Sequence, residues 1–85
     1  MRLPTRIVLP FGYIVTVREV TDGEMGIEVE DAEDFPDGLF DSDTRSIFIR
    51  RVLPIGRKKY LLSHELLHAV ADWQHELFNE GALRP

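Results

Sequence analysis

The sequence predicts an α+β domain in which a small, mainly antiparallel sheet of three to four strands packs on one long C-terminal helix. Two features carry that expectation. The first fifty residues hold short runs of β-branched and aromatic residues separated by Pro and Gly turn chemistry, whereas residues 57–78 lack both breakers and space apolar side chains three and four apart. At 85 residues there is room for a single domain, 1–85, with one modest core.

The elements follow in order. Residues 5–9 (TRIVL) and 13–20 (YIVTVREV) read as two strands of a hairpin, with Pro10–Gly12 as the turn between them. In the second strand Ile14, Val15, Val17 and Val20 supply enough apolar surface to bury one face against a helix. Thr21, Asp22 and Gly23 signal another turn, after which 26–30 (GIEVE) offers a weak third strand with Ile27 and Val29 on one face. The acidic stretch 31–43 carries Pro36 and Gly38 and is expected to be loop, although 38–41 could pair briefly. Residues 46–52 (SIFIRRV) form the clearest later strand, closed by Pro54. The helix over 57–78 would bury Leu62, Leu66, Ala69, Val70, Trp73 and Leu77, with Asn79 and Gly81 suited to its cap and no second helix after it.

Composition excludes several classes. With no cysteine, neither a disulfide framework nor a thiolate metal site is available, so any metal must take His and carboxylate ligands. The longest apolar runs are too short to span a bilayer, and the N-terminal MRLPTRIVLP interrupts any signal-like segment with arginines and prolines, so no membrane partner and a cytoplasmic location are expected. A net charge of −5 opposes general nucleic-acid binding. Charges are nonetheless segregated: most acids lie between Glu19 and Asp43, while Arg45, Arg50, Arg51, Arg57, Lys58 and Lys59 crowd before the helix. Those cations read first as solvated surface; Lys58 and Lys59 oppose the helix dipole, which acids from 31–43 could offset.

The chemistry concentrates in the helix. His64 and His68 are four residues apart and therefore project from one face, where both imidazoles can reach a single ion. Zinc held this way lowers the pKa of its coordinated water, and Glu65 is placed as the general base that accepts the proton. Amide hydrolysis is the reaction class this pattern suggests. In this run the chain resembles the zincin superfamily of zinc peptidases, and YLLSHELLHAV looks like the motif helix of small phage-type and ImmA/IrrE-like members. The resemblance spans about residues 38–73. It implies His64 and His68 as zinc ligands, Glu65 as catalytic base and a peptide or protein as substrate.

The third ligand is open. A metzincin would continue HExxHxxGxxH, but Ala71 and Gln74 stand at the glycine and third histidine. A gluzincin takes a Glu from a second helix, and none is expected here. Asp72, His75, Glu76 and Glu80 are the remaining donors, yet at about 1.5 Å rise per residue His75 lies roughly 10 Å beyond His68 on a straight helix. Three arrangements would complete the site. A break after Trp73 could fold Glu76 or Glu80 back, which is the preferred one; a second subunit could contribute a donor, making a homo-oligomer; or waters could fill the remaining positions.

Bland readings stand beside these. His75 fits an exposed polar position, and Trp73 and Phe78 fit core or interface. Tyr60, one turn before His64, is expected to pack on the sheet, with donation to an oxyanion as its alternative role. Ser46–Arg50, taken as an edge strand, could hold an extended peptide or pair with another subunit. Three functions compete with the peptidase: a zincin-like metal-binding or protein-interaction module without turnover, a purely structural domain, and nucleic-acid binding confined to the patch at 50–59.

Overall fold

The computed structural model describes residues 2–21, 23–24 and 37–79. Strands β1 (Arg6–Leu9), β2 (Tyr13–Val20), β3 (Gly38–Asp41) and β4 (Ser46–Arg50) form one sheet, and helix α1 (Ile55–Leu77) packs on it. The α+β class with a long C-terminal helix is therefore the observed one. The weak strand expected at 26–30 lies outside the described residues.

β1 and β2 make the expected hairpin, in register from Arg6↔Thr16 to Leu9↔Tyr13. Its turn is a short 3₁₀ segment, Pro10–Gly12, in which Phe11 (φ 67°) and Gly12 (φ 79°) both sit in the left-handed region. Glycine is at home there; Phe11 is held in a conformation that L side chains seldom adopt, and its ring points to solvent. Trp73 ties the turn down by donating its indole N–H to the Pro10 carbonyl at 3.0 Å.

The sheet order is β1-β2-β4-β3, so β4 is internal rather than an edge. It pairs in parallel with β2, from Thr16↔Ser46 to Val20↔Arg50, and antiparallel with β3. Burial explains the position: Ile47 and Ile49 are both fully buried, as an internal strand allows. The strand also stops at Arg50, short of the expected Val52, which is exposed.

Within the acidic stretch 31–43, expected to be mostly loop, the brief pairing at 38–41 is present as β3. Gly38–Asp41 pairs fully with β4 because Asp41 builds the turn that follows: its carboxylate accepts the Asp43 N–H at 3.0 Å and the Thr44 hydroxyl at 3.1 Å. Arg45, at φ 53°, completes that turn.

α1 begins two residues earlier than periodicity suggests, because Pro54 holds extended dihedrals and leads directly into the first turn. Cations near this end are matched by acids: Lys58 pairs with Glu19, Arg57 reaches Asp37 at 3.5 Å, and Arg50 meets the other Asp37 oxygen at 3.0 Å. The helix then runs unbroken to Leu77. Its innermost row is Leu61, Glu65 and Ala69; of the expected stripe, Ala69 is buried in that row and Leu62, Leu66 and Trp73 pack beside it. Ala69, without a bulky side chain, lets the helix settle over β3 and β4, where Val15, Ile47 and Ile49 form the centre of the core.

Candidate active site

Glu65 occupies the middle of the row that faces the sheet and is 8% exposed. Its carboxylate accepts no hydrogen bond from any described residue, and the His64 imidazole stands beside it, with Nε2 4.0 Å from Glu65 Oε2. The carboxylate opens instead onto a shallow concavity of about 350 Å³ lined by Asp37, Gly38, Arg57, Tyr60, Leu61, His64 and Glu65. Gly38 forms part of the floor, where a Cβ would stand in ordinary contact, 3.5 Å from the Glu65 Cγ.

His64 and His68 do share a helix face, as their spacing requires. The His64 side chain is 54% exposed, and His68 is exposed as well. With zinc–nitrogen bonds of about 2.1 Å and ring centres roughly 1.1 Å behind each nitrogen, tetrahedral coordination separates two imidazole centres by about 5.2 Å. The two ring centres here are 5.2 Å apart at an interplanar angle of 74°. The pair thus has the spacing to share one ion.

Of the two donors in the preferred fold-back, only Glu76 lies among the described residues. α1 shows no break after Trp73, so Glu76 is not folded back; its carboxylate accepts from Arg45 Nη2 at 2.7 Å. His75 is exposed, with its Nε2 2.9 Å from the Asn79 side-chain nitrogen. Asp72 accepts the Tyr13 hydroxyl hydrogen bond at 2.7 Å. Glu80 lies outside the described residues. Among the described residues no set of three or more His, Cys, Asp or Glu side chains gathers into a metal cage.

Behind His68 lies a clasp that the sequence did not announce. Burial, reinforced by the hydrogen bond to Asp72, pushes the Tyr13 hydroxyl well above its ordinary pKa of 10.0. The Arg45 guanidinium sits 4.3 Å from the centre of the Tyr13 ring while holding Glu76. Tyr13, Asp72, Arg45 and Glu76 thereby bind the C-terminal half of α1 to β2 and the β3–β4 turn.

Two site expectations are corrected. Tyr60 does not pack on the sheet: it is 60% exposed, with the Arg57 guanidinium 5.3 Å from its ring centre, and it walls the concavity. The strand beside the concavity is β3, an outer strand of the sheet, rather than β4. Asp37 and Arg57 were missed as lining residues, and only their flanking positions, before β3 and in the first turns of α1, could have hinted at them.

Compared with models of known families, with curated proteins and with solved structures, the chain finds no match. No helix among the described residues is long and apolar enough to cross a membrane.

Proposed function

We infer that this chain is a zinc-dependent hydrolase of peptide bonds, with His64 and His68 as metal donors and Glu65 as general base. The observation that carries the reading is Glu65 itself. A carboxylate in the core-facing row, with no hydrogen-bond donor among the described residues and lining a concavity beside His64, is placed to take a proton from a water held there. A zinc ion on the histidine pair would lower the pKa of a coordinated water towards neutrality.

The chain's own residues supply the rest. Glu65 accepts the proton from the attacking water and returns it to the leaving amine. Tyr60 and Arg57 stand on the concavity wall, where a phenol or guanidinium can donate to a substrate oxygen. Among the described residues no strand pairs with the outer side of β3, and an extended peptide added there would bring its backbone past Gly38 and Glu65.

A second reading, a zincin-like metal-binding or interaction module without turnover, is favoured by one observation: the described residues bring only two histidine donors together. Hydrolysis of a mixed fluorogenic peptide pool separates the two. The peptidase reading expects zinc-dependent cleavage that Glu65→Gln reduces by about 100-fold or more, the size usual for a general base. Undiminished cleavage by Glu65→Gln would remove the base from the mechanism, and no cleavage at all would leave the module.

A further inference from the structure

We propose that the exposed histidine face of α1 joins two copies of this chain through a single zinc ion, His64 and His68 of each copy supplying four imidazole nitrogens. The proposal rests on the reading above only in taking those histidines as metal donors. It gives that site a partner and a means of regulation.

Donor arithmetic comes first. A closed zinc site takes four ligands, and each copy offers two histidines at the right spacing. Of the other carboxylates on the helix, Asp72 is engaged by Tyr13 and Glu76 by Arg45, while Glu65, 4.0 Å from His64 Nε2, faces the concavity and is kept as the base in the reading above. Two copies related by a twofold axis double the pair to four, and that symmetry is the commonest one for soluble assemblies.

Access comes second. Tyr60, His64, Leu67, His68, Ala71 and His75 are all exposed on α1. Leu67 is 70% exposed beside His68, an apolar side chain available for contact across the axis, and Ala71 presents no bulk there. Nothing among the described residues shields this face.

Charge decides that the ion is needed. Each copy carries −5, so two copies repel at long range and the apolar contact around Leu67 is small. A divalent cation placed between them supplies both the bonds and the opposite charge. The dimer also fills the positions a water would occupy on the ion, so the hydrolytic form is the single chain and the paired form is its closed state.

Sedimentation velocity on the full chain tests this, first after dialysis against a chelator and then with zinc chloride added, with zinc per chain measured in the same samples. The proposal expects a 9.8 kDa species without metal. With zinc it expects a species of twice that mass, saturating at one zinc for every two chains. His68→Ala should remain single at every zinc level, Leu67→Asp should weaken pairing without abolishing zinc binding, and His75→Ala should behave as wild type. One zinc per chain on a single chain would overturn the dimer and leave the hydrolase reading intact. No zinc bound would overturn both, and a zinc dimer that survives in His68→Ala would assign the contact to other residues and overturn the proposal.

Discussion

Replacing Glu65 by Leu should make the protein more stable while ending any hydrolysis. Glu65 is 8% exposed in a row otherwise filled by Leu61 and Ala69, and its carboxylate has no hydrogen-bond donor among the described residues. Burying a leucine side chain fully is worth about 1.5–3 kcal/mol, of which the glutamate methylenes already realise a part. The carboxylate lines the open concavity, so its removal adds little to that gain. Helix propensities of Glu and Leu are nearly equal and cancel. The net expectation is a gain of about 1 kcal/mol, which in a domain of this size raises Tm by roughly 4–8 °C. Thermal and urea unfolding of wild type, Glu65→Leu and Glu65→Gln measure it, with Glu65→Gln expected within about 0.5 kcal/mol of wild type. A loss of more than about 1 kcal/mol in Glu65→Leu would refute the reasoning, because it would make the carboxylate a structural group of the helix–sheet contact.

Other perturbations have equally definite outcomes. Because Tyr13 has its pKa raised on folding, its contribution is fully present below the unfolded value of 10.0 and is lost as pH rises above it, where only the unfolded chain releases the proton. Tyr13→Phe should therefore flatten the alkaline fall in stability between about pH 10 and 12, at a cost of about 1 kcal/mol at neutral pH for the lost Asp72 hydrogen bond; an unchanged alkaline limb in denaturant titrations would refute the assignment. Ile47→Ala, at the centre of the core, should cost about 3 kcal/mol and Val8→Ala, on an exposed position of β1, under about 0.5. Similar losses for the two in urea melts would mean the core lies elsewhere.

The elements were legible where local chemistry decides them. Pro10 and Gly12 mark the hairpin turn, and the breaker-free run after Gly56 marks the helix. What escaped was set by contacts distant in sequence. β3 looked like loop because its acidic surroundings and Gly38 weaken the strand signal, and it exists because β4 offers a partner and Asp41 a turn. β4 looked like an edge because the parallel pairing with β2 leaves no mark at either strand. The expected helix face was largely found, with Ala69 buried and Leu62, Leu66 and Trp73 packed on the core; apolar spacing alone could not show that Glu65 shares the innermost row with Leu61 and Ala69. That placement matters for the proposed function, because it sets Glu65 in the core-facing row beside a concavity.

The shared face of His64 and His68, with Glu65 beside them, was legible in the same way, since HExxH on a helix dictates where those side chains project. The fate of the tail donors was not. Glu76 belongs to Arg45, which lies 31 residues away in the β3–β4 turn, and Asp72 belongs to Tyr13 across 59 residues. Neither partnership has a local signature.

Zinc content after equilibration with the ion and removal of the excess, measured by elemental analysis on wild type beside a His64→Ala, His68→Ala double variant, tests the central claim most directly. The site described here predicts at least one zinc for every two wild-type chains and none in a double variant that remains folded, both side chains being exposed. Wild-type protein that retains no zinc, or a double variant that retains as much, would contradict it.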